Sequence, residues 1–312
     1  MKIGIFVAIS CILHITGAMP VFDVSVEYFS GKTNPKWKLD QSSPNYTEIS
    51  NLYTVAEKSK QLFTLENMPS VLGYRGFVLS DGKDTYVLVV GQKTVQLQKL
   101  LLESAPKGLL SSKLLSTLTT AIEKGIEPIL TRRERRSTNY PPGNTWKDVK
   151  VLKCNNCYNY GTDRLSAFHR DRGLPGLGGG LVYTDPITPV NLRNSAVLDR
   201  LIVTPAVGGN IPVIPQHQQA ARHLVALVVA QESFPGADDD DFHWYRLDSN
   251  NNGRWSHKPG ASPVTIRDGN NNYILDPRIA VNDPLGPNYV FDNFMTVPKN
   301  VVTVQGEVEN SC

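Results

Sequence analysis

The alternation of hydrophobic and polar positions in the first half of the chain predicts a mixture of helices and strands. Leucines and an isoleucine recur at helical spacing in residues 109–124, and residues 46–65 and 95–104 also fit helices. Residues 74–79 and 85–90 are β-prone runs joined by a Ser-Asp-Gly-Lys turn, which predicts a hairpin. We therefore expect a small α+β domain in this half.

The pattern in the second half also predicts an α+β fold. Residues 224–230 are continuously apolar, and residues 242–247 and 254–258 flank a turn rich in Asp, Asn and Gly. A further short strand is expected at residues 273–275. We expect these strands to form an antiparallel sheet, with a helix that begins at Cys157 packed against it.

An apolar run at the start of the chain has the form of a secretory leader. Residues 1–18 begin with a lysine and end in small residues, so we expect a signal peptide that is removed. The run is shorter than the roughly 20 residues that cross a bilayer, and no later segment is long and apolar enough. The sequence therefore predicts a secreted protein without a membrane partner, and Asn45 is a candidate N-glycosylation acceptor.

A cluster of arginines near the middle of the chain divides it into two parts. Arg133, Arg135 and Arg136 form an Arg-X-Arg-Arg site of the kind that furin-like processing proteases cut. Cleavage there would make residues 19–136 a pro-segment and residues 137–312 the mature protein. The alternative is an exposed basic linker or a nucleic-acid patch, because short basic runs are usually solvated.

Composition restricts the partners more than it defines the chemistry. The chain has 312 residues, 40% of them apolar, which is enough for two domains with their own cores. Its net charge of +3 is too small to imply a nucleic-acid partner. The pro-segment contains neither cysteine nor histidine, so we expect it to inhibit the downstream part or to assist its folding; a separate binding module is the alternative.

The cysteines that remain after the leader are odd in number. Cys154, Cys157 and Cys312 would pass through an oxidising compartment, so one of them should stay unpaired. We expect a disulfide between Cys154 and Cys312 and a free thiol at Cys157. The alternatives are a disulfide between Cys154 and Cys157, or half of a zinc site built from this CxxC pair.

The position of Cys157 in the pattern is that of a nucleophile. It lies where an irregular segment should pass into a helix that runs through Asp163 and Phe168. A thiol at a helix N-terminus meets unpaired N–H groups and the positive end of the helix dipole, which favour the thiolate. Those conditions suit a cysteine that attacks a carbonyl group.

Two histidines are expected to face each other on a β-hairpin. A turn centred on residue 250 would pair His243 with His257 and Tyr245 with Trp255 on one face. One histidine could then act as a general base toward Cys157 while the other orients it. A one-residue change in register would separate them, and simple packing of histidines flanked by aromatic residues is the alternative.

These residues together resemble a known family. A cysteine at a helix start, followed by one histidine on a strand and a second on the next antiparallel strand, resembles the NlpC/P60 group of papain-like cysteine hydrolases over residues 155–278. The blocks Asn-Cys-Tyr-Asn-Tyr, Phe-His-Trp-Tyr-Arg and Trp-Ser-His-Lys-Pro-Gly look, more narrowly, like blocks in uncharacterised secreted bacterial and invertebrate proteins. The resemblance implies a papain-like fold and amide-bond cleavage, often of bacterial cell-wall peptides, with no cofactor. It makes Cys157 the nucleophile, His243 the base and His257 the third polar group. Tyr158 stands where the family commonly has a small residue.

The neighbouring residues receive supporting roles in this interpretation. Trp244, Tyr245 and Trp255 could line a groove for a peptide or peptidoglycan-type substrate, or they could simply pack the hairpin. The acidic run at residues 238–241 is expected to be a solvated loop, with a calcium site as the less common alternative.

Two other classes of protein stay open at this point. The second half could be a disulfide-stabilised binding or toxin-like module that uses its aromatic hairpin as a contact surface. It could also be a structural zinc domain that binds the metal through Cys154, Cys157 and two histidines.

Overall fold

The computed structural model covers most of the two halves of the chain. It describes residues 21–81, 85–130, 146, 148–165, 172–181, 187–231, 240–247 and 253–306. The expected leader at residues 1–18 lies outside the described residues. The expected cleavage arginines, Arg133, Arg135 and Arg136, and the expected disulfide partner Cys312 lie outside them as well.

The N-terminal half is a sheet covered by helices. Its strands are β1 (Phe22–Val26), β2 (Lys36–Leu39), β3 (Phe77–Ser80) and β4 (Tyr86–Val89). They are antiparallel and lie in the order β2-β1-β3-β4. The helices are α1 (Tyr46–Lys58), α2 (Val95–Glu103) and α3 (Ser112–Lys124). One hydrophobic core joins the strands to the helices, and Val24, Val26 and Leu118 are completely buried in it.

Helix α3 shows how a local cap determines where a helix begins. The sequence pattern predicts a helix from residue 109, but the hydroxyl group of Ser111 accepts a hydrogen bond from the N–H of Leu114 at 3.1 Å. That bond satisfies one of the N–H groups that have no partner in the first turn. Helix α3 therefore starts at Ser112 and ends before Gly125, whose φ of 73° is in the left-handed region.

The C-terminal half is a second antiparallel sheet with helices on one face. Its main strands are β6 (Ile202–Val203), β7 (Arg222–Ala230), β8 (Asp241–Leu247), β9 (Trp255–His257) and β10 (Val290–Pro298). They lie in the order β6-β10-β7-β8-β9. The two short strands β5 (Gly173–Leu174) and β11 (Gln305–Gly306) pair separately. The helices are α4 (Val149–Cys154), α5 (Cys157–Thr162) and α6 (Pro189–Leu198).

Both faces of the second sheet are covered, which explains the unbroken apolar sequence of β7. Val225 and Leu227 pack with the residues around α5 and α6, whereas Leu224 and Ala226 pack into a separate core on the other face. The structure is therefore α+β, as the sequence predicts. Within the described ranges, no helix combines the length and apolar character needed to cross a membrane.

One expected strand of this sheet is wrong. Residues 273–275 do not form a strand; Tyr273 makes an isolated bridge with Arg267, and the side chain of Leu275 is exposed. The place next to β7 is taken instead by β10, from a part of the chain to which the sequence pattern assigns no strand. The longer β10 can pair with nearly the whole of β7, which a three-residue segment cannot do.

The two halves pack closely against each other. A Cβ atom on Gly73 of the N-terminal half would lie 2.9 Å from Cα of Gly286 in the C-terminal half. A Cβ atom on Gly286 would in turn overlap the carbonyl group of Leu72. The carboxylate of Glu27 also accepts a hydrogen bond from Arg172 across the interface at 3.2 Å. The halves thus meet backbone to backbone as well as through side chains.

Candidate active site

A capping box fixes the start of the helix that carries Cys157. The side-chain oxygen of Asn156 accepts hydrogen bonds from the N–H groups of Tyr158 and Asn159 at 3.0 and 3.1 Å. The side chain of Asn159 accepts one in return from the N–H of Asn156 at 3.2 Å. Cys157 is therefore the first residue of α5, as expected, but the helix ends at Thr162 and does not reach Phe168. It stops because Asp163 takes a left-handed conformation with φ of 57°.

The thiol of Cys157 is free and completely buried. It donates a hydrogen bond to the carbonyl oxygen of Phe242 at 3.6 Å. Burial raises its pKa to about 12, and the negative charge of Asp241 contributes to the increase. The expectation that the helix N-terminus would favour a thiolate is therefore wrong for this closed state. Loss of water around the sulfur outweighs the short helix.

The two histidines meet, although their register differs from the expected one. Tyr245 is opposite His257, and Leu247 is opposite Trp255, which is a shift of two residues from the predicted pairs. The predicted pairs of His243 with His257 and Tyr245 with Trp255 are wrong. A shift of two residues keeps each side chain on the same face, because side chains alternate along a strand. His243 and His257 are therefore diagonal neighbours, with Nε2 and Nδ1 2.8 Å apart.

The surrounding hydrogen bonds determine which nitrogen of His243 is basic. Nε2 of His257 lies 2.9 Å from the carbonyl oxygen of Arg267, so it must carry a hydrogen. Neutral His257 then accepts at Nδ1 from the Nε2–H of His243. This leaves Nδ1 of His243 as an acceptor, and it lies 2.6 Å from the hydroxyl oxygen of Ser30. Burial lowers the pKa of both imidazoles, that of His257 to about 4, so both are neutral at neutral pH.

A loop from the N-terminal half completes the site. This closing loop (residues 29–32) places the hydroxyl group of Ser30 2.6 Å from Nδ1 of His243 and close enough to Cys157 to affect the pKa of its thiol. Asp241 accepts hydrogen bonds from the loop's N–H groups, and its carboxylate is buried. The acidic run before His243 is therefore not a solvated loop where it reaches β8. All five side chains that meet here are buried: Ser30, Cys157, Asp241, His243 and His257.

A buried lysine supports the segment that leads to the thiol. Nζ of Lys258 donates hydrogen bonds to the carbonyl oxygens of Leu152, Asn155 and Gly260. Burial lowers the pKa of this ammonium group well below its ordinary value, while the nearby thiol of Cys157 opposes that decrease. The Lys258 side chain thus ties the end of α4 to the turn after β9, close to the sulfur.

The three aromatic residues expected to line a groove are all buried. Trp244 packs with Tyr158 at a ring distance of 5.3 Å, on the sheet face opposite the histidines. Trp255 packs on Phe294 and borders a separate cavity of about 310 Å³. Tyr245 alone contacts the site, with its ring 4.8 Å from that of His243. The interpretation of Trp244 and Trp255 as a substrate surface is therefore wrong for this state; they are core residues.

The remaining expected sites are described only in part. Asn45 is exposed, and its amide nitrogen donates to Glu103 at 3.1 Å. Because Cys157 is a free thiol, the alternative disulfide with Cys154 is not formed. Among the described residues, no group of three His, Cys, Asp or Glu side chains is arranged to hold a metal ion.

Comparison with known proteins gives one relative. No protein-family model matches the chain, and no solved structure matches it. Insoluble matrix shell protein 1 of Ruditapes philippinarum is 33% identical over 149 residues, which are 47% of this chain and 84% of the relative. The chain belongs to the insoluble matrix shell protein 1 family.

Membership in the insoluble matrix shell protein 1 family agrees with the expected extracellular location, because the relative's name places it in a shell matrix. Release through a cleaved leader stays a prediction, and so does the resemblance to NlpC/P60 hydrolases. The relative's name describes a component of a shell matrix.

Sequence reasoning missed the residues that surround the thiol and the histidines. Asp241 could have been found, because it precedes His243 by two positions on a strand and so shares its face. Ser30 could not, since it lies 213 positions from His243 and in the other half of the chain. Lys258 follows His257 directly, but nothing in its sequence context indicates burial.

Proposed function

We propose that this protein is the secreted precursor of a cysteine hydrolase that cuts amide bonds. The observation that carries the proposal is the hydrogen bond between His243 and His257 at 2.8 Å, which leaves Nδ1 of His243 as an acceptor beside Ser30, whose hydroxyl also affects the thiol of Cys157. A nucleophile, a base with a defined tautomer and a group that orients the base are the parts that acyl transfer requires.

The reaction can be written with these three residues. Once the closing loop and its Ser30 have left, Nδ1 of His243 takes the proton from Cys157, and the thiolate attacks the amide carbonyl carbon to form an S–C bond. The C–N bond then breaks, and the leaving amine takes the proton from His243. Water attacks the thioester, His243 receives its proton, and the proton returns to the departing sulfur of Cys157. His257 holds the imidazole throughout, and the N–H of Cys157 helps to bind the oxyanion.

The precursor form follows from where the groups lie in the chain. All three reacting side chains come after the arginine cluster, and the closing loop comes before it. Cleavage after Arg136 by a furin-like protease would break the covalent connection between the closing loop and the reacting residues. A matrix relative supports an extracellular setting for this step. The substrate is a peptide or a peptidoglycan-type amide.

Thiol labelling tests the proposal on the processed protein. The full chain is cut with furin, diluted so that the two cut chains separate, and treated with iodoacetamide, and peptide mapping then locates the label. We expect strong labelling at Cys157, loss of it in Cys157→Ala and retention of it in the matched Cys154→Ala variant. Release of amines from peptide and peptidoglycan fragments should disappear in the Cys157→Ala variant alone. Equal labelling or equal hydrolysis in wild type and Cys157→Ala contradicts the proposal.

The relative favours a second function without catalysis. A family member named as an insoluble shell matrix protein supports a role for this chain as a structural component of an extracellular matrix. Under this alternative, Cys157→Ala should enter the insoluble fraction with mineral or matrix as well as wild type does. No fragment of a peptide or peptidoglycan should be released by either protein.

A further inference from the structure

The closing loop contacts the C-terminal half mainly through its backbone. The carboxylate of Asp241 accepts from three consecutive N–H groups, those of Ser30 at 2.5 Å, Gly31 at 2.9 Å and Lys32 at 3.0 Å. The amide nitrogen of Asn156 donates to the carbonyl oxygen of Gly31 at 2.7 Å. Donors and acceptors of a peptide backbone are thus matched by fixed groups beside the thiol.

One position of the closing loop has room for glycine alone. A Cβ atom built on Gly31 would lie 2.5 Å from the carbonyl oxygen of Phe242 and would overlap its ring. Phe242 cannot retreat, because it lies in β8 and pairs with Val229 of β7. Any larger residue would have to move the backbone of the loop away from the site.

The N-terminal half holds the loop in this shape through contacts of its own. The guanidinium group of Arg75 donates to the carbonyl oxygens of Tyr28 at 2.9 Å and Phe29 at 2.7 Å. The side-chain oxygen of Asn34 accepts from the N–H groups of the same two residues. Arg75 and Asn34 are both buried, so the loop is presented as a rigid segment.

We propose that the closing loop is a pseudosubstrate, which closes the site in the precursor and shows that the cleft takes peptides with glycine after a small residue. This inference rests on the proposed hydrolase function and adds its regulation and substrate class. Ser30 provides the small residue beside the nucleophile and base, and Gly31 occupies the subsite bounded by Phe242. Asp241 and Asn156 bind the backbone of whichever segment is present, the loop or a substrate.

The first test opens the site in the uncut chain. Gly31→Val is introduced together with Arg136→Ala, and iodoacetamide labelling of Cys157 is measured with Cys157→Ala as background. We expect labelling to be faster by at least about ten-fold, because a buried thiol reacts only when its cover opens. The matched control is Thr33→Val, an exposed position on the same segment, which should label as slowly as its Arg136→Ala parent. An unchanged rate in Gly31→Val overturns the proposal.

The second test supplies the loop in trans. An excess of the hexapeptide with the sequence of residues 28–33 is added to the opened Gly31→Val protein. We expect it to protect Cys157 from iodoacetamide, and the same peptide with Gly31→Val to leave labelling fast. Equal protection by both peptides, or protection by neither, overturns the glycine-containing substrate class. If Gly31→Val does not fold, Asp241→Asn opens the same loop by removing the charge that holds its N–H groups.

These results separate the inference from the hydrolase function. Faster labelling with peptide protection supports the pseudosubstrate even in a protein that cleaves nothing. Hydrolysis by the furin-cut chain that depends on Cys157, together with slow labelling in Gly31→Val, supports the hydrolase and rejects the pseudosubstrate.

Discussion

Three buried imidazoles should make the stability of the uncut protein strongly dependent on pH. Burial lowers the pKa of His257 to about 4, that of His223 to about 3, and that of His243 well below its ordinary value. Each of them is almost completely removed from solvent. The folded protein therefore resists taking up protons at these positions under mildly acidic conditions.

The size of the effect follows from proton linkage. Between about pH 7.5 and 5.5 the unfolded chain protonates its histidines, whose ordinary pKa is about 6.5, while the folded chain keeps these three neutral. The unfolded state therefore binds more protons than the folded state in this window. The contribution of these histidines to the free energy of unfolding is fully present above the window and decreases as the pH falls through it. His257 and His223 each contribute a loss of about 1.3 kcal/mol over the window, which is about 2.7 kcal/mol together, and His243 adds to the loss in the same direction.

Urea unfolding of the Arg136→Ala chain at the two pH values measures this loss. His223→Gln, whose amide can still donate to the carbonyl of Gly161, should reduce the loss by about 1.3 kcal/mol. Comparing this variant with its parent separates the histidine from carboxyl groups such as Asp199, whose pKa burial raises. His217→Gln, at an exposed position, should leave the loss unchanged. The reasoning is refuted if His223→Gln and its parent lose the same stability.

Three other changes have defined outcomes. Lys258→Met keeps the aliphatic stem but leaves three buried carbonyls without their donor, so urea unfolding should show a loss of at least about 2 kcal/mol; an unchanged midpoint would contradict this. Gly286→Ala should force the halves apart at Leu72, and differential scanning calorimetry should record a lower melting temperature, with about 1 to 3 kcal/mol lost. Arg136→Ala should leave the secreted chain uncut on a gel and Cys157 slow to label; cutting that continues at the arginine cluster would refute the assigned site.

The sequence predicts most of the secondary structure and fails where distant segments decide the pairing. Helix α2 and the strands β7 and β8 agree with the predictions, because α2 has apolar residues at helical spacing, β7 is a continuous apolar run and β8 is rich in aromatic residues beside a turn. The sequence analysis does not predict strands β1 and β10, the short strands β2, β5, β6 and β11, or helices α4 and α6. The patterns of β1 and β10 are weaker, and each is held in place by a partner strand far away in the chain.

The candidate site divides in the same way. Cys157, His243 and His257 can be selected from the sequence because helix starts and hairpins are local features. The protonation of these residues depends on their burial beneath the loop that carries Ser30 and on the negative charge of Asp241. Both effects require the two halves to pack together. A sequence that predicts a reactive thiolate therefore folds into a site in which the thiol is neutral.

The close packing of Gly73 against Gly286 also affects what happens after a cut at the arginine cluster. While the chain is continuous, the closing loop meets the site at a fixed effective concentration that dilution cannot change. After the cut, the same contacts hold two separate chains, and the fraction of closed sites depends on the total protein concentration and the dissociation constant. Cleavage then gives a complex that stays closed where it is concentrated and opens where it is diluted. The thiol would then become accessible to substrate only where the secreted protein has been diluted enough for the two chains to separate.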